Sequence, residues 1–367
     1  MASDKFPAVA SASFSSLPPV SPAARKRLLG GLLRGVSRSF YLTLRVLPSN
    51  LRAPIGLAYL LARAADTIAD TRLLPSKDRL NYLLEFRAQV EGPADTETLA
   101  RIGLLHTENQ ARSQELVLLS SLPEIFSMLE TAGEEDRTLI RSVVVTLTKG
   151  MEADLTTFPA EDSGQIAALP DAAALDGYTY QVAGCVGEFW TAITMAHTPG
   201  RLASWDAARM GEMGVRFGKA LQMTNVLRDV PKDLRLGRCY FPQDQLAAFG
   251  ITPDTLLDPV TGRTARPLLV DGIRIALGHF EAAEEYILAI PRRNLRLRLA
   301  ALWPVLIGLA TLAELARNSD WFDPNQPSKV SRSWVYGMMT RSLPAATSNG
   351  LLRAWIGRLR RRVEQAL

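Results

Sequence analysis

The chain has 367 residues, 47% hydrophobic and 22% charged, with a net charge of +5. This is an ordinary globular composition and excludes global disorder. Its two cysteines, Cys185 and Cys239, offer no disulfide framework or zinc spacing and fit a reducing compartment. The three histidines, His106, His197 and His279, are widely separated. That argues against a histidine metal site or a Ser-His-Asp triad, so any metal is expected to be held by oxygen.

In chain order, residues 1–22 are rich in Ser, Ala and Pro, lack the apolar region of a secretory signal, and read as a disordered leader. From Ala24 onward, helical periodicity predicts helices over 24–46, 51–70, 77–91, 97–117, 122–130, 134–155, 171–196, 203–230, 243–248, 267–290 and 294–317. Strand signals are nearly absent, and breakers such as Pro48, Gly92-Pro93, Pro159, Pro170 and Pro199-Gly200 punctuate the helices. The expected fold is all-α, with one helical domain over 23–335 and a C-terminal segment over 336–367. The longest apolar run, Leu299 to Ala313, contains Pro304. It falls short of the roughly 20 residues of a membrane span and reads as a buried core helix. The expected location is cytoplasmic, with any membrane contact peripheral.

The stretch from Asn349 to Leu367 holds five Arg against one Glu, with Leu352, Trp355, Ile356, Leu359 and Val363 on one stripe. Two readings stay open for it: a basic helix resting on an anionic membrane, or a helix closing the core with its arginines in water. Nucleic-acid binding is not supported, because no aromatic-rich basic patch accompanies these arginines.

Two acidic sets carry the chemical signal. Asp66 and Asp70 stand at i and i+4; Asn225, Asp229 and Asp233 repeat that spacing over two turns. Carboxylates crowded on a helix face suggest a cation between them. Mg²⁺ suits them, since it takes few protein oxygens and completes its shell with water and phosphates. Two solvated charged faces remain the alternative. Arg63 and Arg228 sit beside the sets, and Arg38, Arg235 and Arg238 lie close by. Ala183, Gly184 and Gly187 indicate either close helix packing or room for a ligand. Pro231 is expected to bend its helix and put Asp233 beyond the bend. No phosphate-cradling glycine loop occurs, so a nicotinamide cofactor would not be held by a Rossmann unit.

Four blocks in order now make a recognisable whole: Ser37-Arg-Ser-Phe40; Tyr59, Arg63, Asp66 and Asp70; Val182-Ala-Gly-x-Val-Gly187; and Gln222, Asn225, Arg228-Asp229, Asp233, Gly237-Arg238, Tyr240 and Pro242. Over roughly residues 30–335 the chain resembles the squalene and phytoene synthase family, the head-to-head isoprenyl diphosphate synthases, leaning towards its squalene-synthase branch of bacterial type. The resemblance implies a helical bundle around an apolar cavity. It implies Mg²⁺ at Asp66, Asp70, Asn225, Asp229 and Asp233, and diphosphate contacts from Arg38, Arg63, Arg228 and Arg238. Phe40 and Tyr59 map near the reacting carbons, and Tyr180 or Tyr178 would replace a tyrosine where this chain has Gln181. Ala300 stands where eukaryotic members carry Phe. The implied reaction joins two farnesyl diphosphates into presqualene diphosphate, which NADPH then reduces to squalene. Phytoene or dehydrosqualene synthesis without reductant, arrest at presqualene diphosphate, and a non-catalytic scaffold are the alternatives.

Overall fold

The helical periods of the sequence are realised as helices along almost the whole chain. The structure is a computed structural model and describes residues 17, 19–37, 40–71, 74–105 and 113–367. Most of the expected leader lies outside the described residues, as do Arg38 and His106, while Ser21 already caps the helix that begins at Pro22.

The Ser49–Asp70 helix starts directly after Pro48 and ends where Thr71 turns extended. It buries Leu51, Ile55, Ala58, Leu61, Ala65 and Ile68, steps of three and four that keep one face inward. The Glu134–Thr157 helix opens with Glu134, Glu135 and Asp136, which suit the positive end of its dipole. The Ala207–Leu234 helix is capped by Asp206, whose carboxylate accepts from the Arg209 amide at 3.0 Å.

That last helix corrects one expectation. It runs through Pro231 to Leu234 rather than ending at 230, so Asp233 shares a helix with Asp229. A proline removes one internal bond and crowds the carbonyl four residues back. Here it stands in the last turn, where little helix remains to disturb, and the Arg235 guanidinium donates to its carbonyl. The near absence of strands holds, with one short exception among the described residues. Ala167–Leu169 and Arg238–Pro242 form a two-stranded parallel pair. Gly237, at φ +77°, makes the turn that leads from the acidic helix into it.

The core centres on the Leu295–Arg317 helix, buried along most of its length against the Phe40–Val46, Ala207–Leu234, Arg266–Ala289 and Asn349–Glu364 helices. Among the described residues it is the one helix long and apolar enough to cross a membrane, and 83% of its apolar window is buried in the protein. The Asn349–Glu364 helix lays Leu352, Ile356, Leu359 and Val363 on that core, each 3% exposed or less. Burying four such side chains contributes roughly 6–12 kcal/mol. The stripe is thus committed to the core, leaving Arg353, Arg358, Arg361 and Arg362 in solvent.

The Cys185–His197 and Ala207–Leu234 helices cross at glycines. A Cβ on Gly187 would fall 1.8 Å from the Gly214 carbonyl oxygen, and one on Gly218 would fall 2.1 Å from that of Ala183. Close packing therefore accounts for the small residues of this block.

Candidate active site

Five carboxylates from three helices converge on one cavity of about 360 Å³. Asp66 and Asp70 come from the end of the Ser49–Asp70 helix, Asp229 and Asp233 from the end of the Ala207–Leu234 helix, and Asp154 from the Glu134–Thr157 helix. Asn225 also lines it, and among the described residues Arg238 is the one arginine that does so. All five oxygen-bearing residues singled out from the sequence are thus brought together.

The charge imbalance shows in the acidities. Burial and then repulsion from Asp70 raise Asp66 to about 6, against the pull of Arg63. Burial and Asp229 raise Asp233 to about 7. Burial raises Asp154 to about 6, although Arg238 stands 3.7 Å away and the Tyr240 hydroxyl donates to it at 2.8 Å. Tyr178 stacks on Tyr240 with ring centroids 4.7 Å apart. Burial, reinforced by Asp154, pushes both phenols above their ordinary range, so they are donors here rather than bases.

Among the described residues no three His, Cys, Asp or Glu side chains form a closed cage for one ion. The donor set is instead pairs of hard oxygens under mutual repulsion, open to the cavity. This fits Mg²⁺, which binds through one or two carboxylates and keeps places for water and phosphate oxygens.

For the metal-free protein the sign of the pH effect follows. These three aspartates hold protons in the folded state up to pH 6–7 that the unfolded chain releases near 3.8. Their contribution to stability is full below the unfolded value and is lost as pH rises through the folded values. In EDTA, Tm is expected to fall between pH 5 and pH 8, and Mg²⁺ with inorganic diphosphate should flatten that slope. A Tm rising over the range would contradict the assigned crowding.

The arginines divide. Arg63 pairs with Asp66 and, at 2.8 Å, with Glu115. Arg228 clasps the adjacent Asp229 at 2.9 and 2.5 Å and does not line the cavity. Arg238 reaches Glu161 at 3.3 Å as well as Asp154. Arg38 lies outside the described residues. Of the two candidate tyrosines, Tyr178 lines the cavity, whereas the Tyr180 hydroxyl donates to Glu188 at 3.0 Å and Tyr180 is not on the wall. Residues two apart on a helix face nearly opposite ways, so only one of them can look inward.

Two apolar chambers adjoin the acidic cavity. One, about 330 Å³, shares Asp66, Leu147 and Met151 with it; the other, about 460 Å³, shares Val182, Gln222 and Asn225. Phe40, Tyr59, Val186 and Trp190 belong to both chambers. The Phe40 and Tyr59 rings stack 4.9 Å apart at 20°, and the Tyr59 hydroxyl donates to the Val36 carbonyl at 3.4 Å. Ala300 lies on the wall of the larger chamber beside Ala301 and Pro304. Gln181 packs against Gly150 and lines none of these spaces.

Sequence reasoning missed Asp154 and Glu115, and it noted Tyr240 only as part of a motif, without a role. For Asp154 a signal existed: Leu147, Met151 and Asp154 follow one another at i, i+4 and i+7, so a charge continues an inward stripe. Glu115 announces itself only through its contact with Arg63 in space.

An all-α bundle whose acidic mouth opens into apolar chambers is an isoprenoid-synthase-type fold. The squalene/phytoene synthase family model matches residues 33–334, and the chain belongs to that family. It is 26% identical to the squalene synthase of Yarrowia lipolytica over 297 residues, 80% of this chain and 62% of that protein. It is 30% identical to the bifunctional lycopene cyclase/phytoene synthase of Gibberella fujikuroi over 240 residues, 65% of this chain and 38% of that one. The chain thus spans less than two thirds of these curated relatives. In fold it is similar to a TcSQS–ligand complex, with TM-score 0.71, 21% identity, and coverage of 93% of this chain and 96% of that one. A dehydrosqualene synthase aligns with TM-score 0.60 and 17% identity, over 87% of this chain and 96% of that one.

Proposed function

We propose that the chain is a Mg²⁺-dependent squalene synthase: it condenses two farnesyl diphosphates head to head into presqualene diphosphate, then reduces this with NADPH to squalene. The observation that carries the reading is the pair of apolar chambers beside one carboxylate-lined cavity, a shape suited to two prenyl tails with their diphosphates side by side. Asp66, Asp70, Asn225, Asp229 and Asp233 would hold the metal. Bound there, Mg²⁺ supplies neutralisation of the departing diphosphate. Arg63 and Arg238 would add charge-assisted bonds to it.

The chain's own residues do the rest. The stacked Phe40 and Tyr59 rings present π-faces to an allylic cation at the junction of the two chambers. The chamber walls keep water from capturing it as an alcohol. NADPH supplies the hydride that ends the second stage.

A second reading is a phytoene or dehydrosqualene synthase, which ends by proton loss; the 30% identity to lycopene cyclase/phytoene synthases favours it. Purified protein with Mg²⁺ and farnesyl or geranylgeranyl diphosphate, with and without NADPH, separates the two by product mass. Squalene appearing only with NADPH supports the first. A C40 product from the C20 substrate, or dehydrosqualene without reductant, supports the second, and presqualene diphosphate alone would mean that catalysis stops halfway.

Ala301→Phe tests the larger chamber, on whose wall Ala301 is 3% exposed. Filling that wall is expected to lower condensation about 10- to 100-fold while leaving helicity unchanged. Unaltered product formation, measured by mass spectrometry, would remove the chamber from the substrate path.

A further inference from the structure

A separate cavity of about 520 Å³ shares no wall residue with the acidic cavity or the two apolar chambers. Among the described residues its wall carries Arg201, Arg293 and Arg296 and no acidic residue. None of these three side chains has a hydrogen-bond or ion-pair partner among the described residues. The wall also holds His197, which is engaged by Asp136 at 2.7 Å.

Two long helices begin at this cavity: Ser49–Asp70, of 22 residues, and Leu295–Arg317, of 23. Neither N-cap, Pro48 or Asn294, supplies a side-chain hydrogen bond. The first-turn amides of a helix have no acceptor within it and carry the positive end of its dipole. Here those amides belong to wall residues, Ser49 and Asn50 on one side and Leu295, Arg296 and Leu297 on the other.

Asn294 adds an independent sign of a missing ligand. It lies on the wall, is only 5% exposed, and its buried Oδ1 has no partner. Its carboxamide presents a donor or an acceptor, depending on a half-turn of the amide. On the next turn, Arg298 is fully buried with Nε and Nη1 unpartnered, and its Nη2 donates to Asn349 Oδ1 at 2.6 Å. The charged side chains on the wall are thus cationic among the described residues, with Asp136 held behind His197, and buried polar atoms of Asn294 and Arg298 lack partners.

We propose that this cavity is a second anion site, built for the phosphate or diphosphate group of a small phosphorylated molecule. Planar guanidinium forks and helix amides are the two protein devices that best match phosphate oxygens, and both face one space here. The site is independent of the proposed catalysis. Its charge is opposite in sign to that of the acidic cavity, so it needs no metal to accept an anion.

The test uses the full chain in EDTA, where the acidic cavity has no ion through which to take an anion. Inorganic diphosphate is titrated calorimetrically against the native protein, the Arg293→Ala/Arg296→Ala double variant and Asp229→Asn. The expected result is saturable one-to-one binding that the double variant weakens about 10-fold or more, Arg293→Lys/Arg296→Lys weakens less, and Asp229→Asn leaves unchanged. A parallel arm measures sedimentation with phosphatidic acid vesicles. Arginine-dependent binding to the soluble anion identifies a free phosphate ligand; the same dependence on vesicles alone identifies a lipid headgroup phosphate. Binding unaffected by the arginine variants, binding lost in Asp229→Asn, or no binding in either arm overturns the proposal. Arg293 and Arg296 are exposed, so the variants should fold, and circular dichroism verifies it.

Discussion

Asp66→Asn is expected to lower turnover of prenyl diphosphate about 10²–10³-fold or more while leaving the metal-free protein at least as stable as the native chain at pH 8. The activity loss follows from removing one hard oxygen ligand where the leaving charge must be neutralised. The stability effect follows from the crowding: burial and Asp70 already raise the pKa of this side chain to about 6, so its charged form is unwelcome in the folded state. A neutral isostere relieves that repulsion, and Arg63 keeps its bond to Glu115 at 2.8 Å. Asp229→Asn should show the same loss of turnover. Steady-state kinetics paired with thermal unfolding checks both halves. A variant that loses activity and stability together would show that Asp66 is a structural ion-pair partner rather than part of the chemistry.

Gly187→Ala is expected to destabilise the protein by about 1–3 kcal/mol, read from urea unfolding, and to reduce turnover with it. In an open helix the same change would stabilise by up to about 1 kcal/mol, because alanine is the better helix former. Here the added methyl would sit 1.8 Å from a backbone carbonyl oxygen of the facing helix, which cannot rotate away as a side chain can. The two helices must separate, and overpacking of this kind typically costs more than propensity returns. Gly187 and Gly214 also line the larger chamber, and Asn225 and Asp229 lie further along the same helix as Gly214. Separation there moves ligands as well as walls. A Gly187→Ala protein as stable and active as the native one would refute the close crossing.

Much of this was legible in the residues. Helix limits such as Leu122–Glu130 and Ser76–Glu91 fall where caps and breakers put them, within a residue. The spacing of Asp66 with Asp70, and of Asn225 with Asp229 and Asp233, put each set on one face, because each needs only its own helix to align it. That the two faces share a mouth was implied by the family resemblance and not by the spacing. The readings that needed correction depended on neighbours. The 24–46 and 171–196 helices are each broken by one wider turn, Leu28–Leu32 and Tyr180–Gly184, which leaves no mark on a 3.6-residue pattern. Strands of three and five residues are too short to show alternation. The grip of Glu115 on Arg63 spans 52 residues of sequence and has no local signal. The apolar C-terminal stripe was visible, but what covers it was not; the core helix Leu295–Arg317 supplies the answer.

That covering has a consequence for how the chain is made. The greasiest helix is completed at Arg317, yet the helix that roofs it does not begin until Asn349. During synthesis a long, nearly uncharged segment therefore waits bare for its last partner, the condition under which a nascent chain aggregates or is mistaken for a membrane segment. Losing a few residues near Leu352 or Ile356 would uncover the middle of the molecule, far from the acidic mouth, and would show first as failed biogenesis rather than as a slow enzyme.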